Sequence, residues 1–355
     1  MSAGKGFRPF RVVAKLPESS IITSFHLEPV QAEDWQPFAP GQFLMFRLPA
    51  LDGAILRNYS ISGPAETGRY RISVKREPAA AGFAAGLGSG FLHDQVKVGD
   101  LVEAQGPRGD FVLDRTSDRP VVLISGGVGL TPMVAMLHDL AQAGRRVVFL
   151  HGCENGDVHA LRDEVIGLAA NNPLLSAHFC YRNPSADDRA NARFHSEGVI
   201  TRALLQSLFC LDDYEVYLCG PPPFMQALYP MLRGLGVAEA RIAYEFFGPA
   251  TVLKDTPAPK PVAEPAAQAD GAIIVRFAAS GKEALWDARA DSLLSFAEDQ
   301  GLTPDFSCRA GICGTCVTRI LSGSVAYFEE PLDELAEGEA LLCCSKPVGP
   351  IVLDL

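Results

Sequence analysis

The chain is expected to be a multidomain protein of three folded parts: an antiparallel β-barrel, an α/β domain on a parallel sheet, and a small α+β module. Three observations predict this. At 355 residues the chain is too long for one ordinary core. Its pattern changes from short alternating runs cut by Gly and Pro to buried strands alternating with helices, then back to short strands around one helix. Before that last part, Lys254 to Asp270 is rich in Pro and Ala and too poor in large apolar side chains to form a core, so it reads as an extended tether. The expected division is 1–115, 116–253, a linker over 254–270, and 271–355.

Hydrophobic content of 48% with 21% charged residues is that of a folded protein with material for several cores. No apolar run is long enough to span a bilayer, and Met1 to Gly6 leads into a strand pattern instead of a secretion signal, so the expectation is a cytoplasmic protein without membrane insertion. Nine cysteines, an odd number, argue against a disulfide framework. The net charge of -11 argues against nucleic acid as a partner and suggests docking onto a protein with a basic patch.

From Arg8 to about Leu113 the expected strands are Phe10 to Leu16, Ile21 to Glu28, Gln42 to Leu48, Arg57 to Ile61, Tyr70 to Lys75 and Leu101 to Gln105. Within them, Arg57-Asn58-Tyr59-Ser60 puts Arg57 and Tyr59 on one face and Ser60 on the other. Those side chains suit an isoalloxazine ring, which needs an aromatic face, a guanidinium for its phosphates, and a hydroxyl near N5. The tetrapeptide resembles the R-x-Y-S flavin motif of the ferredoxin-NADP reductase superfamily. That resemblance implies Arg57 on the pyrophosphate, Tyr59 stacked on the ring and Ser60 near N5. It also implies that Tyr70 to Glu77, with Ser73 and Val74, runs beside the ribityl chain. Gly88, Ser89 and Gly90 open a short helix, and exposed N–H groups at a helix start favour phosphate. The bland run Ala79 to Ala85 is unlike a tight adenine clamp, leaving FMN open beside the preferred FAD.

From Pro120 the pattern becomes strand and helix by turns. Val121 to Ser125, then Gly126, Gly127, Gly129 and Thr131, and a helical run to about Ala143, is how an α/β sheet presents a phosphate site. The turn resembles the G-G-x-G-x-T-P turn of the same superfamily, which implies nicotinamide-dinucleotide pyrophosphate over the glycines with help from Thr131. Strands are expected at Val147 to His151, near Ala177 to Tyr181 and at Tyr214 to Leu218, with a helix from about Val158 to Leu168. The strand at Tyr214 ends in Cys219-Gly220-Pro221, resembling C-G-P-x-x-F-M, where a small thiol lets nicotinamide approach the flavin as a positioning group and not a nucleophile. Tyr244 to Gly248 is expected to return the chain to the flavin, with Phe247 covering the ring. Arg8 to about Leu253 most resembles the reductase part of flavohaemoglobins, with no globin before it.

In the last module Ala272 to Phe277 and Glu283 to Ala288 read as a hairpin, Asp291 as the cap of a helix to about Asp299, and Cys316 to Leu321 as a strand. Cys308, Cys313 and Cys316 at C-x4-C-x2-C, with Cys343-Cys344 downstream, match the ligand spacing of a [2Fe–2S] cluster. Zinc would favour a second C-x2-C pair in place of adjacent cysteines, and the remaining alternative is a group of inert thiols. Cys343, four residues before Pro347, resembles the last ligand of plant-type ferredoxins, which implies a β-grasp fold over about 271–355 and leaves Cys344 a bystander.

A hydride brings two electrons together whereas such a cluster takes one at a time, and a flavin can convert between them. The order of parts resembles reductases of the phthalate dioxygenase reductase and hybrid-cluster protein reductase type. The expectation is therefore an NAD(P)H-dependent FAD and [2Fe–2S] oxidoreductase with Ser60, Cys219 and Phe247 at its reactive centre. Its acceptor is expected to be another redox protein, an oxygenase component first among them. A redox sensor with the same cofactors and a stand-alone reductase of a small molecule are the alternatives. NADH is preferred over NADPH because no obvious basic pair holds a 2′-phosphate, although Arg182 and Arg189 lie in the plausible region.

Overall fold

The computed structural model describes residues 6–355 except 51–52, 66–67, 79–85, 211, 248–272, 307–310, 312–313, 329–330 and 332–334. Two compact units divide the chain, Met1–Phe247 and Gly248–Leu355, and the tether and the Ala79 to Ala85 run lie outside the described residues. In the first unit β1 (Arg8–Pro17), β2 (Ile22–Pro29), β3 (Phe43–Ala50), β4 (Gly53–Ser60), β5 (Tyr70–Lys75) and β6 (Leu101–Arg108) form an antiparallel sheet in the order β4-β3-β6-β1-β2-β5. Its two edge strands meet where Ile61 bridges Ile72 and the Ser62 N–H donates to the Arg71 carbonyl at 2.8 Å, which closes the sheet into the expected barrel. Strand alternation fills the interior with Phe10, Phe25, Leu44 and Phe46, against which α1 (Leu87–Asp94) packs Leu92.

The chain then builds β7 (Val121–Gly126), α2 (Leu130–Leu140), β8 (Val147–Cys153), α3 (Arg162–Ala170), β9 (Leu175–Tyr181), α4 (Ala186–Ala190), β10 (Ser196–Glu197), α5 (Arg202–Leu208), β11 (Glu215–Cys219), α6 (Pro222–Gly234) and β12 (Ile242–Glu245). All strand pairs are parallel, in the order β10-β9-β8-β7-β11-β12. Every residue of β7 is buried, as befits a central strand covered on both faces. The strand order reverses between β7 and β11, so their carboxyl ends flank the crevice where sheets of this kind bind ligands. Barrel and sheet share one apolar cluster, in which Ile22, Phe111 and Leu113 meet Met133, Met136 and Tyr217.

One expected helix is displaced. Instead of running from Val158, the chain makes a short turn over Gly156–Val158, and α3 starts only at Arg162. His159 is buried with its Nδ1 2.8 Å from the Tyr181 hydroxyl, and Leu161 takes a left-handed φ of 55°, so seating the imidazole breaks helical continuity.

The second unit contains β13 (Ile274–Phe277), β14 (Lys282–Leu285), α7 (Leu293–Asp299), β15 (Val317–Ser322), β16 (Val325–Tyr327), β17 (Glu339–Leu341), β18 (Ser345–Pro347) and β19 (Ile351–Leu353). A five-stranded mixed sheet, β14-β13-β19-β15-β17, has β13 and β19 parallel, and β16 pairs with β18 as a separate ribbon. Leu293 and Phe296 of α7 pack on Val275 and Phe277. The cap of α7 is Ser292 and not Asp291. Ser292 directly precedes the first helical residue, and its hydroxyl accepts from the Ser295 N–H at 3.2 Å, a reach Asp291 lacks by one position. Among the described residues no helix is long and apolar enough to cross a membrane.

Candidate active site

The alternation expected of β4 is present. Arg57 and Tyr59 both face Gly88 of α1, where an added Cβ would lie 2.8 Å from Arg57 Cγ and 3.2 Å from the Tyr59 hydroxyl. Only a residue without a side chain lets α1 approach them so closely. The helix begins at Gly86 with no side-chain cap, so its first amides have no side-chain acceptor. Its other end is held by Lys15, whose Nζ donates to the His93 and Val96 carbonyls at 2.7 Å each. Ser89, in the first turn of α1, accepts from the Glu77 N–H and donates to the Gly86 carbonyl, both at 3.2 Å. Gly90 has open space where a side chain would stand. Ser73 lies deeper: its hydroxyl sits between those of Ser24 (2.7 Å) and Ser62 (2.8 Å), and the Val74 carbonyl is 2.9 Å from His93 Nε2. The Ser73 hydroxyl is thus held between two neighbouring hydroxyls.

Across the crevice, the turns after β7 and β11 are packed backbone to backbone. A Cβ on Gly129 would stand 2.4 Å from the Cys219 carbonyl oxygen, and one on Gly220 would meet Phe224 at 2.7 Å. Gly126 likewise abuts the Phe224 ring, whereas Gly127, at φ 53°, borders open space. Thr131 is buried, and its hydroxyl donates to the Val128 carbonyl at 3.1 Å, so it holds the turn together. Pro221 precedes α6 as its N-terminal flanking residue.

Where the two sides meet, Ser60 lies close enough to Glu245 to favour its charged form, and Glu245 stands opposite Cys219 in the β11–β12 register. Although Glu245 is only half-buried as a residue, its Oε2 is sealed from solvent with no hydrogen-bond partner among the described residues. Burial, with Asp110 adding to it, pushes its carboxyl up to about 8 against the pull of Ser60. Cys219 is fully buried. Burial first and Glu245 second hold its thiol well above the ordinary value, so it is neutral and unsuited to nucleophilic attack. Phe247, just beyond Glu245, is 39% exposed.

In the second unit Cys308 and Cys313 lie outside the described residues, while Cys316 and Cys343 are buried. The Gly311 N–H donates to Cys343 Sγ at 3.3 Å, and the Cys343 N–H to Cys316 Sγ at 3.4 Å. Gly311 and Gly314 both have φ 71°, which turns the loop so that amides point at sulfur. Cys344 Sγ instead faces the Leu341 carbonyl, 3.7 Å away in the core.

Three family descriptions match the chain in order: an oxidoreductase FAD-binding domain over residues 9–113, an oxidoreductase NAD-binding domain over 123–229, and a 2Fe-2S iron-sulfur cluster binding domain over 277–348. The FAD/NAD-binding domain of nitric oxide dioxygenase from Vibrio cholerae is 39% identical, with a TM-score of 0.60 over 68% of this chain and 99% of that one. The chain belongs to the ferredoxin-NADP reductase superfamily. Flavohemoproteins of Bordetella pertussis and Pseudomonas putida are each 44% identical, over 68% and 70% of the chain. The chain spans 61% of the length of either. Phthalate dioxygenase reductase shares the fold over 99% of this chain and 98% of its own, at 24% identity and a TM-score of 0.61. The three parts are thus FAD-, NAD- and [2Fe–2S]-binding domains.

The residues present suit these groups. An uncapped helix start beside Arg57 suits a phosphate, the orphaned Glu245 oxygen lacks a partner a polar ring edge would provide, and amides aimed at two cysteine sulfurs suit ligating thiolates. Sequence reasoning missed Glu245. The signal was present, an acid at the buried end of a strand before two phenylalanines, but its partner Ser60 is remote in the chain and no local pattern joins them.

Proposed function

We propose that the chain oxidises NAD(P)H, with NADH preferred, at FAD on the barrel, and passes the electrons through the [2Fe–2S] domain to a separate redox protein, an oxygenase component first among the candidates. The convergence of Ser60, Cys219 and Glu245 at the point where the strand order reverses carries this reading. When bound, FAD supplies acceptance of a hydride and release of single electrons, and the cluster supplies one-electron carriage.

The chain's own residues do the positioning. Arg57 and the amides of Gly88, Ser89 and Gly90 hold the diphosphate, Tyr59 offers its ring face, and Ser60 places its hydroxyl at N5. Gly127 and its neighbours leave room for the dinucleotide, and the neutral Cys219 gives nicotinamide a small, uncharged seat. Burial keeps a proton on the Glu245 carboxyl at neutral pH against the pull of Ser60, so the crevice carries no buried negative charge where hydride arrives. Phe247 stands at the rim, available to cover the ring. Cys308, Cys313, Cys316 and Cys343 ligate the cluster.

The preference for NADH is supported by Arg189, which is already neutralised by Glu197 at 2.7 Å. A 2′-phosphate there would meet that carboxylate. Steady-state reduction of ferricyanide and cytochrome c, with NADH and NADPH compared, tests the reading. It predicts turnover of both acceptors and a larger kcat/KM for NADH. Bleaching of the protein without onward transfer would favour a sensor, and small-molecule turnover that survives Cys308→Ser would favour a stand-alone reductase.

A further inference from the structure

A polar chain outside the crevice joins the barrel to the nucleotide domain. Arg71 on β5 grips Glu164 on the first turn of α3 with both ends of its fork, Nη1 to Oε2 at 2.7 Å and Nη2 to Oε1 at 2.8 Å. His138, in the last turn of α2, brings Nε2 within 2.5 Å of the same Oε1. Turning the other way, Arg71 Nη2 donates to the Ser62 carbonyl at 2.5 Å and Nε to the Ser62 hydroxyl at 3.3 Å. The Ser62 hydroxyl continues the chain to Ser73 and Ser24. The three charged or titratable side chains are 11%, 24% and 20% exposed, so solvent screens them little. Burial alone would raise the Glu164 carboxyl, but hydrogen bonds from His138 and Arg71 outweigh it and hold it at about 2, so the carboxylate stays charged across the working pH range.

We propose that Arg71, Glu164 and His138 are positioning residues that fix the distance and angle at which nicotinamide meets the flavin. This rests on the placement of Ser60 at N5 and of the nucleotide at the start of α2. Ser62 lies on the segment leaving Ser60, and His138 lies on the helix that begins at the nucleotide turn, so the clamp ties one half of the reacting pair to the other. The apolar contact between the domains does not supply this, because hydrophobic attraction is non-directional, whereas a two-pronged guanidinium–carboxylate pair fixes orientation. Hydride transfer requires reacting atoms about 3–3.5 Å apart, and displacement of about 1 Å costs on the order of 100-fold.

The test uses the full chain loaded with FAD and cluster, and reads flavin reduction by stopped flow at saturating NADH. Glu164→Gln keeps the shape and removes the charge. The expected result is a fall of about tenfold in the limiting reduction rate. KM for NADH should change less than twofold, the NADH–flavin charge-transfer absorbance should weaken, and FAD content should stay at the wild-type level. Arg71→Lys, which keeps the charge but not the fork, should fall about threefold, and it decides the matter if Glu164→Gln does not fold. Asp212→Asn, which breaks the remote Arg146–Asp212 pair, should leave the rate unchanged. A wild-type limiting rate and charge-transfer band in Glu164→Gln, or in Arg71→Lys where only that variant folds, would overturn the proposal. Failure of NADH to reduce the wild-type flavin would count against the reading of the function instead.

Discussion

At the flavin and nicotinamide crevice the decisive side chains come from strands far apart in the sequence: Ser60 ends β4, Cys219 ends β11 and Glu245 ends β12. At the cluster site Gly311, Cys316 and Cys343 come from one loop and one short turn after β17. On the proposed reading the first site works by placement, with glycines that let backbones touch and neutral groups that keep buried charge out. On the same reading the second works by ligation, with sulfurs that either bind metal or do not. Substitutions in the two regions should therefore differ in kind, graded at the crevice and all-or-none at the loop.

The largest effect belongs to the loop. Cys343→Ser is expected to abolish the cluster's visible absorbance and cytochrome c reduction, while NADH still reduces the flavin. Cys344→Ser, whose hydroxyl can turn to the Leu341 carbonyl, should retain both. The reverse result would reassign the ligand and remove one half of the comparison.

Next comes Glu245. Glu245→Ala should lower the limiting rate of flavin reduction by about 100-fold. pH dependence follows from the raised carboxyl. The folded chain keeps this proton between 4.5 and about 8 while the unfolded chain has released it. Its contribution to stability is thus present at the acid end and is lost as pH rises through about 8. The reduction rate should fall over the same upper range, and Glu245→Gln, permanently neutral, should flatten that limb. A limb unchanged in Glu245→Gln would show that another group titrates.

A smaller effect is expected at Gly129. Its missing Cβ would lie 2.4 Å from the Cys219 carbonyl, so Gly129→Ala must push the two turns apart, costing about 1–3 kcal/mol and raising KM for NADH. Thermal unfolding and steady-state kinetics check both. Ser73→Ala should be the mildest, about 1 kcal/mol from the buried hydroxyl chain, with FAD retained because its hydroxyl is engaged by Ser24 and Ser62. Loss of FAD would contradict that placement.

The same contrast explains what the sequence made legible. Cysteine spacing is local, so the cluster loop could be read directly, and strand alternation is local, so the barrel and the opposed faces of Tyr59 and Ser60 could be read as well. Glu245, Arg71 and Glu164 could not, because each gains its meaning from a partner brought near only by the closed barrel and the reversed strand order. The hydroxyl contacts of Thr131 with Val128 and of Ser73 with Ser24 and Ser62 were equally invisible, because which way a hydroxyl points is settled only by the folded neighbours. The His159 turn was missed because helical periodicity takes no account of an imidazole buried against Tyr181.

The most direct test of the central claim is an anaerobic reaction of the fully loaded chain with one equivalent of NADH, followed by flavin absorbance and by electron paramagnetic resonance of the cluster. The account predicts that flavin bleaches first and the reduced-cluster signal then grows at the flavin's expense, and that Cys343→Ser shows the bleaching without the signal. A flavin that bleaches while the wild-type cluster stays oxidised would contradict it.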